Sequence, residues 1–106
     1  MGKPSRDKGA REERAVVAAW QCEGFHAERV PLSGAAGGSY TGDLTIAILN
    51  DDRKVECKVR ANGFKSLYDW LGTNWCLTLR ADRKERLYVM READFMRLCM
   101  AAERGA

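Results

Sequence analysis

The stretch from residue 42 to residue 60 constrains this chain more than any other, because apolar and polar side chains alternate through it on both sides of a turn. Successive side chains of an extended strand point to opposite faces, so Leu44, Ile46 and Ile48 share one face of a first strand. Val55, Cys57 and Val59 share one face of a second. Asp43 and Thr45 then point the other way, as do Glu56, Lys58 and Arg60. The pattern predicts a hairpin with its turn at residues 50–53 and its second strand running to about Arg60. One of its faces is apolar, and the other carries two carboxylates and a lysine. That polar face has the groups a divalent cation and an activated water require.

Around this hairpin the periodicity changes. Glu13, Val16, Val17 and Trp20 recur at i, i+3, i+4 and i+7, which predicts a helix over residues 7–22 with these four on one stripe. Residues 1–6, polar with one Pro, are expected to be disordered. Glu12 lies nearer the edge of the stripe, and Arg11 and Arg14 flank it. Gly24 is the expected helix cap, and residues 25–31 read as a short strand carrying Arg29. Residues 32–41 are small, uncharged and glycine-rich, which fits either a mobile loop leading into Asp43 or a plain surface connection.

Beyond Asn62-Gly63, the spacing of Phe64, Leu67, Tyr68 and Leu71 predicts a short amphipathic helix stopped by Gly72. Residues 75–80 and 87–90 read as two strands separated by a charged turn. A last helix, from about 92 to 103, places Phe95, Leu98, Cys99 and Ala102 on one side. The order of helix, three strands, helix, two strands, helix is that of an α/β sandwich.

Composition narrows the function. At 106 residues and 11.9 kDa the chain is sized for one domain with a single core. Cys22, Cys57, Cys76 and Cys99 are far apart, without a CxxC pair or clustered histidines, so neither a zinc site nor a disulfide framework is expected. They read as buried free thiols in a reducing compartment. No apolar run approaches the roughly 20 residues of a membrane span, and the first residues lack a signal-peptide core, so a cytoplasmic protein without a membrane partner is expected. The net charge of +3 is too small to indicate a nucleic-acid ligand by itself. Its distribution says more: Arg14, Arg29, Lys58, Arg60 and Lys65 surround acidic residues suited to a metal, a pattern that fits a polyanion held over a cation. The sole histidine, His26, reads as a surface or packing residue, and Trp20, Trp70 and Trp75 as core or subunit-interface residues rather than a base-stacking platform.

Mg²⁺ takes oxygen ligands, usually one or two carboxylates with water and substrate phosphate, so Asp43 and Glu56 suffice without histidine. The backbone carbonyl of Cys57 offers a third oxygen, and Glu13 would complete the anionic cluster. Lys58, on the same face as Glu56, would orient or help deprotonate a metal-acidified water. The same residues also fit a plainer pattern. Glu56 and Lys58 then form a solvated pair, Asp43 is a turn residue after Gly42, and Glu13 is an ordinary helix-face carboxylate.

Taken in order, Lys8-Gly9-Ala10-Arg11-Glu12-Glu13-Arg14, then Gly24-Phe25 and Arg29, then Gly42-Asp43-Leu44, then Val55-Glu56-Cys57-Lys58-Val59-Arg60 resembles the archaeal-type Holliday junction resolvases. These belong to the PD-(D/E)XK nuclease superfamily and have bacterial and phage relatives. The resemblance extends over residues 8–100. It implies a restriction-endonuclease-like sandwich, with a central mixed sheet of about five strands flanked by helices. It also implies a structure-selective DNA endonuclease that uses Mg²⁺, with Mn²⁺ as a substitute. Asp43 and Glu56 would bind the metal, Lys58 would serve the attacking water, and Glu13 would be the helix-borne acid. Arg14 and Arg29 match basic positions facing DNA phosphates, a track that Arg60 and Lys65 would extend, and Ser33 falls in the loop placed near the scissile strand.

The chain departs from that pattern in a longer Gly/Ala/Ser loop before Asp43 and an abbreviated carboxyl end. A four-way junction has two equivalent strands to cut and this domain carries one cluster, so a twofold homodimer is expected. Its interface is sought at the helix bearing Tyr68 and Trp70 and around Met96 and Met100. A nuclease of the same fold acting on nicked or mismatched duplex, or a silent binding module, are the alternatives.

Overall fold

The computed structural model describes residues 3–30 and 43–106, with side chains from Asp7 onward. In chain order the elements are α1 (Lys3–Cys22), β1 (Ala27–Arg29), β2 (Leu44–Ile48), β3 (Asp51–Val55), α2 (Lys65–Leu71), β4 (Cys76–Leu79), β5 (Leu87–Met90) and α3 (Glu92–Gly105). This is the expected succession, and the protein is mixed α/β. The five strands do not form one mixed sheet among the described residues: β1-β2-β3 is one antiparallel sheet and β4-β5 another. Strands joined by hairpin connections pair antiparallel, and the four-residue strands β4 and β5 pair with each other. The chain separates into two compact units, Met1–Val59 and Arg60–Ala106.

In the first unit α1 packs on β1 and β2. The helix begins at Lys3 rather than Asp7. Its stripe has the predicted direction, with Val16 and Val17 half-buried and Trp20 buried. Gly24 adopts φ +92°, a left-handed conformation that costs glycine no Cβ clash. Its N–H donates to Gln21 O (3.0 Å), and Phe25 N–H donates to Trp20 O (3.0 Å). The reversal folds the Phe25 ring edge-on against Trp20, centroids 4.9 Å apart. Gln21 Nε2 then donates to Ala27 O (3.0 Å), tying the helix end to β1. Trp20, Ala27, Leu44 and Ile46 form the core of this unit, with Leu44 at 0% exposure.

The hairpin turn is not at residues 50–53. It is the two-residue loop Leu49-Asn50, and β3 ends at Val55. Both loop residues have positive φ (56° and 63°), as type I′ turns require, because that backbone twist matches the twist of the paired strands. Asn50 tolerates this conformation and Leu49 adopts it under strain. Arg53 Nε braces the turn by donating to Ile48 O (3.0 Å).

The shorter turn has a specific consequence for register. A turn at 50–53 would pair Leu44 with Val59, whereas the observed pairs run from Leu44↔Val55 to Ile48↔Asp51, and Asp43, one residue outside them, bonds Val55 through its own N–H. The shift is four positions, an even number, so every side chain keeps its expected face while its partner changes. Residues 56–60 continue the alternation of exposed and half-buried positions without strand pairing.

In the second unit α2 packs on β4 and buries Leu71, and Gly72 (φ +50°) caps it with its N–H on Tyr68 O (3.0 Å). Arg91 donates to Asn74 O (3.1 Å) and to Gly72 O, fastening the end of α2 to the start of α3. The buried stripe of α3 is Met96 and Cys99 with Met100 half-buried; of the predicted Phe95, Leu98, Cys99 and Ala102, only Cys99 is buried. Adjacent helical residues differ by about 100° in direction, and apolar residues cover so much of α3 that periodicity alone does not select the packed side. Phe95 and Leu98 are exposed, as are Trp70 and Trp75.

All four cysteines are free, but only Cys99 is buried; Cys57 and Cys76 are half-buried, and Cys22 is exposed. Cys22 lies two residues past Trp20, about 200° around the helix from it, and so off the packed stripe. Among the described residues, no helix is long and apolar enough to cross a membrane.

Replacing Leu49-Asn50 with Asn-Gly removes the left-handed leucine while keeping the two-residue loop. Stability should rise by about 1 kcal/mol, read in thermal unfolding as a Tm increase of roughly 4 °C or more. A lower Tm would show that Leu49 contributes more by contact than it costs in backbone strain.

Candidate active site

Asp43 occupies the position where the three strands of the first sheet begin or end together. Its N–H donates to Val55 O (2.7 Å), and its carbonyl accepts from Val30 N–H (3.0 Å). Its carboxylate Oδ2 accepts the N–H of Cys57 (2.7 Å). Three hydrogen bonds with the two neighbouring segments therefore hold one residue, and the side-chain bond is of the short charge-assisted kind. That bond keeps residues 56–58 extended beside β2 after backbone pairing has stopped. Glu56 and Lys58 remain on the face opposite Leu44, where Lys58 Nζ lies 3.0 Å from Glu56 Oε2. Both of these side chains are at least half exposed (56% and 50%), and such a pair contributes only about 0–1 kcal/mol, so either partner exchanges readily for another ion.

Glu13 lies on α1, against the face of the sheet that carries Leu44. Arg29 lies opposite Leu44 in the sheet, on the face α1 covers, and its Nε donates to Glu13 Oε1 at 3.0 Å. This pair is more enclosed than the first, with Glu13 only 17% and Arg29 30% exposed. Arg29 thus positions the helix-borne carboxylate against the sheet.

The Cys57 thiol registers the combined field. Its burial, and after it the carboxylates of Asp43, Glu13, Glu12 and Glu56 in that order, pushes the thiol up to about 11. Four carboxylates from α1, from the start of β2 and from the end of β3 therefore bear on one point. Glu12 belongs to this group although the helical stripe favours Glu13. Two consecutive acids, both half-buried on α1, are the signal for it. A neutral thiol at physiological pH is neither a nucleophile nor a soft metal ligand, which leaves the backbone carbonyl of Cys57 as its available donor.

The other expected positions are distributed as follows. Arg14 is exposed on α1. Ser33, with the glycine-rich loop, lies outside the described residues. Arg60 and Lys65 belong to the second unit, and Lys65 Nζ is engaged by Asp69 Oδ2 at 2.6 Å on α2. Among the described residues, no group of three or more His, Cys, Asp and Glu side chains is placed to hold a metal ion. A hard cation needs only one or two carboxylates, its other positions being filled by water and phosphate. The available donors are all oxygens and their surroundings are negative, so the donor chemistry of Asp43 and Glu56 fits such an ion.

In metal-free buffer at pH 8 roughly one Cys57 side chain in a thousand is ionised, so iodoacetamide should alkylate exposed Cys22 well before Cys57. Cys57 labelling should then accelerate about tenfold per pH unit towards pH 11, and peptide mass spectrometry reads both rates. Comparison of the chain with protein-family models, curated proteins and solved structures finds no match.

Proposed function

We propose that this chain is a metal-dependent, structure-selective DNA endonuclease that resolves four-way junctions by hydrolysing phosphodiesters, with the restriction-endonuclease-like sandwich its sequence suggests. The observation that carries the reading is Asp43, held by three hydrogen bonds with Val30, Val55 and Cys57 beside Glu56, with Asp43, Glu13, Glu12 and Glu56 all acting on the Cys57 thiol. Carboxylates gathered around one point repel one another, and a cation or a phosphate-bound cation relieves that cost. Asp43, Glu56 and the Cys57 carbonyl would hold Mg²⁺ or Mn²⁺, with Glu13 completing the anionic environment. When bound, the ion supplies Lewis-acid stabilisation of the phosphate and an acidified water.

The chain's own groups perform the rest. Asp43 needs no reorganisation, since its backbone and carboxylate are already fixed. Lys58 carries a flexible ammonium beside Glu56, within reach of a water or a phosphate oxygen on the same face, and orients it for in-line attack. Arg29 holds Glu13, while Arg14 presents an exposed cation for the DNA backbone. Arg60, Lys65 and Ser33 complete the proposed DNA contacts.

A second reading, a binding module of the same fold without chemistry, is favoured by the pairing of Glu13 with Arg29 and of Glu56 with Lys58. One experiment separates the two. With a labelled four-way junction and Mg²⁺ or Mn²⁺, Asp43→Asn and Glu56→Gln should abolish cleavage while junction binding largely survives, because Asn retains the acceptor for Cys57 N–H. Lys58→Ala should slow cleavage by about a hundredfold or more. Full cleavage by either carboxylate variant overturns the assignment, and absence of cleavage by the unmodified chain favours the binding module.

Symmetric resolution needs two sites, so the proposed enzyme is a homodimer. Exposed Tyr68 and Trp70 on α2 and Phe95 and Leu98 on α3 offer apolar surface for it, whereas Met96 is already buried. Sedimentation at micromolar concentration, alone and with junction DNA, should show two copies. A monomer in both conditions would favour a nuclease acting on nicked or mismatched duplex.

A further inference from the structure

The β4–β5 hairpin has a surface that the carboxylate site does not use. Its turn, residues 80–86, contains Arg80, Arg83, Lys84 and Arg86 against only Asp82 and Glu85. Among the described residues none of these four cations makes an ion pair or a side-chain hydrogen bond, whereas Lys58, Lys65, Arg29, Arg53 and Arg97 are all paired. Residues 1–59 contain nine Lys and Arg and nine Asp and Glu, and residues 60–106 contain nine and six. The whole net charge of +3 therefore lies in the unit that carries this hairpin.

Register places the cations relative to an aromatic ring. The pairs Thr78↔Tyr88 and Leu79↔Leu87 close the ladder, so one step further Arg80 stands opposite Arg86. By the two-residue period, both are on the face of Thr78 and Tyr88. Two like charges directly opposed destabilise a hairpin end unless an anion lies between them. Arg83, at φ +65°, adds a cation at a turn position that glycine or asparagine would occupy without strain. On the same face Tyr88 is 66% exposed, and its cross-strand neighbour is the small Thr78, which leaves the ring face open.

We propose that the β4–β5 hairpin is a nucleic-acid-binding wing that takes a strand with unpaired bases, its phosphates on Arg80, Arg83, Lys84 and Arg86 and a base stacked on Tyr88. Unpaired cations bind the phosphate backbone by releasing its counterions, and an open aromatic beside them binds a base of any sequence. Charge complementarity alone would also suit an acidic peptide; the ring sharing the face of Arg80 and Arg86 favours the nucleic acid. The inference adds a second contact to the proposed nuclease and does not depend on the carboxylate cluster.

The test is equilibrium binding in EDTA, where no cleavage is possible, by fluorescence anisotropy of the whole chain with a labelled oligothymidylate, a duplex and a four-way junction across a salt series. Changing Arg80, Arg83, Lys84 and Arg86 together to Gln should lower the single-strand salt slope by about 0.7 for each phosphate no longer neutralised. Tyr88→Ala should weaken single-strand binding roughly fivefold or more while Tyr88→Phe binds normally. Replacing the three arginines with lysine should keep the slope, which separates an effect of charge from an effect of folding. An unchanged affinity and slope in the fourfold Gln variant overturns the wing, whether or not the chain cleaves DNA. Because the assay reads binding in the absence of metal and cleavage, a failure of the nuclease reading stays distinct from a failure of this one.

Discussion

The contact between Asp43 Oδ2 and the N–H of Cys57 is the interaction on which the first unit's candidate site depends. Backbone pairing between β2 and β3 stops at Leu44↔Val55, so nothing in the ladder itself requires residues 56–58 to remain alongside. The carboxylate extends the pairing by one side-chain bond, and the next polar residues, Glu56 and Lys58, are placed by it. The bond is available only because a two-residue turn sets position 43 beside the end of β3, next to Val55 and Cys57. Register, turn and carboxylate are therefore one constraint seen at three points along the chain.

This arrangement carries an electrostatic cost that the unit meets locally. Four carboxylates bear on Cys57, yet residues 1–59 are neutral in sum, and two of those carboxylates are matched by specific bases, Glu13 by Arg29 and Glu56 by Lys58. The two pairs differ in kind. Glu13–Arg29 is partly enclosed between α1 and the sheet and fixes the helix relative to β1. Glu56–Lys58 is open to solvent, where ion pairs are weak and exchange easily. On the proposed reading, the enclosed pair sets geometry and the open one yields to cation and phosphate.

The second unit has the opposite character. Its excess charge is positive, and among the described residues it carries most of the exposed large apolar side chains, with Tyr68, Trp70, Trp75, Tyr88, Phe95 and Leu98 all outward. Forty-seven residues in short elements have too little interior to cover so many large side chains. Such a surface suits contact with other molecules, and the proposed dimer face and hairpin wing divide it between α2 with α3 on one hand and the charged turn on the other.

Much of this protein was legible from local pattern. The order of helices and strands, the Trp20 stripe, the caps at Gly24 and Gly72, and the faces on which Leu44, Asp43, Glu56 and Lys58 lie all follow from periods of 3.6 and 2 and from glycine's conformational freedom. Which side of α3 is buried did not follow, because a helix apolar around much of its surface has no unique stripe. Nor did the partner of Asp43 follow, since moving a turn by an even number of residues leaves every side chain on its face, and alternation therefore cannot report register. The division of five strands into two sheets, the capture of Arg29 by Glu13 and the electrostatic influence of Glu12 on Cys57 likewise involve residues far apart in sequence. The sequence by itself determined which residues share a face, a matter of local backbone geometry. Only the tertiary structure decided which of them meet, because that depends on turn length and on packing between distant segments.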